Sequence, residues 1–206
     1  MAQSRKKRPA LRWQVGLWLL LVLSLLLSGC SRHEFGGLLL DDPQEAEEIQ
    51  GTNWDGSTFR LSDLRGKVVV LFFGYTFCPD ICPIALTNMK AAYKQLGEPK
   101  EDVAVVFVSV DPDRDSPERL AQYVPAFNPD FYGVHVPQEA LDVVKAAYGV
   151  YAEKRYLTDD ESSADYFVDH TGGVYIIDRE GRLRELLQHD TDPEILAGDL
   201  RYFMDK

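Results

Sequence analysis

Cys78 and Cys82 stand four residues apart in the run Gly74-Tyr75-Thr76-Phe77-Cys78-Pro79-Asp80-Ile81-Cys82-Pro83. On a helix that spacing puts both sulfurs on one face, with ~5–6 Å between Cβ atoms. The run follows an apolar stretch and opens a helical pattern. Amides at a helix N-terminus lower thiol pKa values, so thiolates are expected here. Two thiolates on one face suit a soft ion, and Cu(I) is the softest common candidate. The same pair is also close enough to close a disulfide. The plainer alternative is a pair of structural cysteines. The Pro-flanked, Gly-preceded strand-to-helix turn argues against it.

A third ligand must come from elsewhere in the chain. His170, in Asp169-His170-Thr171, lies just before the apolar run Gly173 to Ile177. In a thioredoxin-like sheet that run neighbours the strand ending at Phe73, and its start faces the cysteine turn. His170 is therefore the expected imidazole, and Asp169 is either a carboxylate that orients it or an exposed surface residue. Of the other histidines, His33 falls in a tether, His135 beside a strand and His189 at a strand end. None of these is expected to bind. Met89 sits on the apolar face of a helix and reads as core.

The elements that position these residues follow from periodicity. Trp54-Asp55-Gly56-Ser57-Thr58-Phe59 is a hairpin signal. Lys67 to Phe73 and Val103 to Val110 read as strands covered on both faces. Pro83 to Leu96, Ser116 to Phe127, Pro137 to Tyr148 and residues 192–205 read as helices, with Ser116-Pro117 as N-cap and first helical position. Phe131 to Val136 and Gly149 to Lys154 are short strand candidates, and residues 155–168 a long polar loop. Gly173 to Ile177 and Leu183 to Leu187 are strands joined by the turn Asp178-Arg179-Glu180-Gly181. The order predicts an α/β domain over residues 46–206. Its fold is thioredoxin-like: a mixed central sheet, helices on both faces and an N-terminal β-hairpin extension.

Residues 1–12 are basic, and residues 13–31 are uncharged and leucine-rich. Leu27-Ser28-Gly29-Cys30 then resembles a lipobox, which makes residues 1–29 a signal peptide and Cys30 the lipidated residue. The alternative is an uncleaved anchor over 13–31, long enough for a bilayer of ~30 Å. Either way, residues 30–45 form a tether and the domain lies outside the cytoplasm, at a membrane surface. The net charge is -11, although Arg5, Lys6, Lys7, Arg8 and Arg12 all precede the first acidic residue, Glu34. So acidic a domain repels phosphate backbones, which excludes a nucleic-acid partner. Three cysteines in 206 residues do not make a disulfide scaffold.

The cysteine run, Val110-Asp111-Pro112-Asp113-Arg114-Asp115-Ser116-Pro117 and Asp165-Tyr166-Phe167-Val168-Asp169-His170, taken in order, resemble the three signature segments of the Sco/SenC family. That resemblance implies a membrane-tethered copper protein of the bacterial envelope, facing the periplasm. It implies copper, as Cu(I) or Cu(II), on Cys78, Cys82 and His170. It also implies delivery to the binuclear copper centre of cytochrome c oxidase subunit II, by a monomer. Asp111 to Ser116 reads as turn and cap chemistry, or as a docking or supporting role involving Asp113 or Arg114. Asp159, Asp160, Glu161 and Asp165 read as a solvated loop, or as a mobile carrier of the ligand.

The competing function is a thiol–disulfide oxidoreductase, with Cys78 attacking and Cys82 resolving. Three residues between the cysteines, and a histidine opposite them, argue against it. A peroxidase lacks its Thr-x-x-Cys signature here, and structural zinc wants a fourth ligand. A metal-free binding module leaves the joint presence of the cysteine turn and His170 unexplained.

Overall fold

The computed structural model describes residues 33–97, 101–157 and 166–206, and Phe35–Lys206 form one compact unit. Cys30, the leucine-rich stretch and the acidic residues 159–161 and 165 lie outside the described residues. Eight strands form one sheet: β1 (Leu38–Leu39), β2 (Gln50–Asn53), β3 (Thr58–Arg60), β4 (Val68–Gly74), β5 (Val103–Ser109), β6 (Tyr132–His135), β9 (Gly173–Ile177) and β10 (Leu183–Gln188). Their order is β1-β10-β9-β4-β5-β6-β2-β3. β7 (Ala152–Tyr156) and β8 (Tyr166–His170) make a separate two-stranded sheet. Among the described residues four α-helices complete the fold, α1 (Ile81–Gln95), α2 (Pro117–Phe127), α3 (Gln138–Tyr148) and α4 (Pro193–Met204), with a 3-10 turn at Leu61–Leu64.

β4 is central because its sequence leaves no polar face. All seven of its residues are buried, as are all seven of β5, which requires cover on both sides of the sheet. β4 runs parallel to β5 and antiparallel to β9, so the expected neighbour relation holds. The sheet is mixed, as the order of elements predicts. The N-terminal hairpin forms around Trp54 to Ser57, where Gly56 takes φ 84° and Asp55 Oδ1 accepts from the Ser57 amide at 2.9 Å. Trp54 Nε1 donates to the Phe131 carbonyl at 2.8 Å and ties the hairpin to the body.

Two expectations need correction. The polar loop over 155–168 is in part strand: Tyr156 pairs with Tyr166 and Lys154 with Val168. Tyr166-Phe167-Val168 are strand formers that a charged neighbourhood disguises. The helix after the cysteines starts at Ile81, two residues before Pro83. Leu38 to Leu40 of the tether are expected to pack on the domain edge, and Leu38 pairs with Leu186 there, while the Gly36 and Gly37 amides donate to Asp199 and Glu185.

Candidate metal centre

Because α1 opens at Ile81, Cys82 lies in its first turn and Cys78 precedes it. The residue before a proline avoids the helical region, and Cys78 is followed by Pro79. Its amide instead donates to the Tyr75 carbonyl at 3.2 Å, closing a turn. The sulfurs meet across that turn rather than along one helix face, within 4.8 Å of each other. Gly74 is required here: a Cβ would stand 2.8 Å from Cys82 Sγ and 2.8 Å from the Phe107 ring.

His170 ends β8, one strand earlier than the sequence pattern suggested, and its ring reaches the cysteines. Nε2 lies 3.4 Å from Cys82 Sγ, and Nδ1 lies 3.0 Å from the Thr171 carbonyl oxygen. That oxygen can only accept, so Nδ1 donates to it, which leaves Nε2 facing the sulfurs. Of the two readings of Asp169, the exposed one holds. It alternates to the other side of β8 and pairs with Arg155 Nε at 3.1 Å. The carbonyl of Thr171 does the orienting.

The donor atoms of Cys78, Cys82 and His170 all lie within 4.8 Å of one another, the only such group among the described residues. Neither cysteine is in a disulfide, and Cys82 is fully buried while Cys78 is half-buried. Their acidities diverge. The Cys82 thiol, donating to Cys78, holds the Cys78 pKa down to about 4 against burial, helped by His170 and by the Asp80 and Cys82 amides. Burial, then the neighbouring Cys78, pushes the Cys82 thiol up. The expectation of two available thiolates thus holds for one: Cys78 is the thiolate and Cys82 its proton donor. An imidazole nitrogen, a thiolate and a thiol that loses its proton on binding form a donor set for a soft cation.

His135 Nδ1 lies 3.0 Å from the Asp115 carbonyl oxygen, away from the cluster, and His189 is no part of it. Met89 is buried in the core. Sequence reasoning missed what holds the turn. Asp115 is fully buried and accepts from the Thr76 amide at 2.9 Å, the Thr76 hydroxyl at 2.6 Å and the Ser109 hydroxyl at 2.7 Å. Thr76 in turn accepts from Arg119 Nε at 3.0 Å. The only signal was position, since Asp115 follows β5 at the same carboxyl edge as the cysteine turn.

A family profile described as SCO1/SenC matches residues 40–205. The SCO2-like protein of Rickettsia conorii is 31% identical over 147 residues, 71% of either chain. The structure of Bradyrhizobium japonicum ScoI with copper bound is 34% identical, with a TM-score of 0.70 over 78% of this chain and 99% of that one. A SCO1/SenC family lipoprotein from Bacillus anthracis is 29% identical, with a TM-score of 0.67 over 80% and 98%.

Proposed function

Because this chain belongs to the SCO1/SenC family, we propose that it is a membrane-tethered copper metallochaperone. Copper is the cargo, held by Cys78, Cys82 and His170. Its destination is the binuclear copper centre of cytochrome c oxidase subunit II, on the periplasmic side. The observation that carries this reading is the convergence of two sulfurs and one imidazole nitrogen within 4.8 Å. A similar structure, from Bradyrhizobium japonicum, was solved with copper bound. The tether is Cys30, lipidated at the lipobox-like Leu27-Ser28-Gly29-Cys30. That a family member in Bacillus anthracis is a lipoprotein supports it. Among the described residues no helix is long and apolar enough to cross a membrane.

Loading begins at Cys78, which is already a thiolate and half-exposed. Cys82 releases its proton as it binds, so uptake of Cu(I) is proton-coupled. His170 Nε2 then completes three-coordination. Release reverses the order, with acceptor thiolate and imidazole groups replacing these donors one at a time.

The split between the two thiols also favours a second reading, a thiol–disulfide oxidoreductase. Cys78 would attack a target disulfide sulfur and displace the other sulfur as a thiolate. Cys82, once deprotonated, would resolve the mixed disulfide and leave Cys78 and Cys82 oxidised. One titration separates the readings. Reduced protein is titrated anaerobically with Cu(I) against a competing chelator, beside Cys78→Ser, Cys82→Ser and His170→Ala. The chaperone predicts one copper per chain, lost with either cysteine and bound more weakly by His170→Ala. Absence of competitive binding, or indifference to His170, rejects it in favour of the redox reading.

A further inference from the structure

The β7–β8 hairpin delivers His170, yet it shares no ladder with the eight-stranded sheet. Backbone pairing to the body therefore does not set where the imidazole sits against the cysteine turn. Arg114, in the turn after β5, bridges that gap. Its Nε donates to Asp111 Oδ2 at 2.6 Å, a carboxylate whose side chain is fully buried. Its Nη1 donates to the carbonyl of Tyr166, the first residue of β8, at 2.9 Å. The guanidinium carbon lies 3.5 Å from the Tyr166 ring centroid and 4.8 Å from that of Phe77, in the cysteine turn. The Tyr166 hydroxyl donates back to Asp111 Oδ1 at 2.7 Å, closing the triangle. Lys154 of β7 adds an ion pair to Asp113. One planar cation thus touches the hairpin, the cysteine turn and the turn after β5.

The geometry points to Arg114 as a positioning residue for His170: it latches the hairpin to the cysteine turn and so fixes the imidazole on Cys82. The inference rests on reading Cys78, Cys82 and His170 as the metal site. Tyr166 and His170 share a five-residue strand, so a shift at one end carries the other. The role demands arginine. A lysine can pair with Asp111, but it cannot also reach the Tyr166 carbonyl and lie flat between two rings.

Arg114→Lys in the full chain is the test, because it keeps the Asp111 charge paired and spares the fold. In metal-free, reduced protein carrying Cys78→Ser, alkylation of Cys82 is followed by peptide mass. Release of His170 uncovers Cys82, so the rate is expected to rise about tenfold through local opening. An unchanged rate overturns the latch. The second arm compares Cu(II) affinity and nitrogen hyperfine structure for Arg114→Lys, His170→Ala and the double variant. The expected result is loss of the nitrogen signature in Arg114→Lys and a double variant no weaker than His170→Ala alone. Additive losses overturn the proposal, since Arg114 would then act otherwise than through His170. Should Arg114→Lys not fold, Tyr166→Leu, which removes the ring and the Asp111 bond, is expected to give the same two results. A parent chain that binds no copper defeats the metal reading, and the alkylation rates still decide the latch.

Discussion

At the scale of the residue, the central fact is that two chemically identical thiols are made different by where they sit. Cys82 is sealed under the imidazole and against Gly74, while Cys78 faces outward with a thiol, amides and His170 turned toward its sulfur. A free thiol reacts faster as pH rises because only the thiolate attacks. With the Cys78 pKa down to about 4, the thiolate is already the dominant form in mildly acid solution. Alkylation of Cys78 in metal-free protein should therefore be nearly flat between about pH 5 and 8. Cys82→Ala removes the largest contributor to that depression, so the rate should regain its rise with pH. A rate in the parent that climbs about tenfold per unit over that range would contradict the asymmetry. The three donors were legible in the sequence because cysteine and histidine carry chemistry in their type. Asp115 was not, because its meaning lies in contacts with Thr76, 39 residues away, and a carboxylate in a turn-rich run gives no sign that it will be buried.

At the scale of the element, apolar runs were read well and charged ones badly. Lys67 to Phe73 and Val103 to Val110 announced the central strands because an unbroken apolar run has few other uses. Residues 155–168 hid β8, since its five residues are too few to show alternation amid charge. β10 presents the opposite case, a strand with a charge turned inward. Glu185 is fully buried, beside the equally buried Asp199 of α4. The neighbouring Arg184 is directed to Asp178 and over the Phe203 ring. Glu185 Oε1 accepts from the Gly37 amide at 2.9 Å. Burial, then the Asp199 charge, pushes its pKa up to about 7 from an ordinary 4.5. The sign follows: the folded state binds the proton more tightly than the unfolded one. That contribution is complete below about pH 4.5 and is lost as pH rises through about 7. Glu185→Gln keeps an acceptor for Gly37 without the charge. Urea unfolding should show the parent losing up to about 3 kcal/mol more than Glu185→Gln between those limits. Parallel pH profiles in the two proteins would refute this account.

At the scale of the whole molecule, the same pair of carboxyls decides where the folded unit begins. A tether need not be structured, and the sequence between Cys30 and Glu45 has the paired glycines and the Asp-Asp-Pro of a linker. Its last part nevertheless belongs to the fold. The Phe35 ring centroid lies 4.9 Å from that of Tyr202 and 5.6 Å from that of Phe203, both on α4. The Gly36 and Gly37 amides cap Asp199 and Glu185, and Leu38–Leu39 covers the edge of β10. The glycines are there because the backbone comes so close: a Cβ on Gly37 would stand 2.4 Å from the Leu186 carbonyl oxygen. From that edge to β4, the strand that leads into the cysteine turn, the order runs β1-β10-β9-β4. Shortening the chain to begin at residue 46 therefore removes no donor atom, but it strips two buried carboxyls of their amides and bares an edge strand. Hydrogen bonds to charged groups contribute about 1.5–3 kcal/mol each, so the loss should reach several kcal/mol. For a domain of this size that is a fall in Tm of about 10 °C relative to a chain beginning at residue 33. Copper stoichiometry, measured in the cold where both remain folded, should be unchanged. Equal melting temperatures would show the strap to be ornamental, and a copper site lost with it would show the sheet edge to be coupled to the cysteine turn.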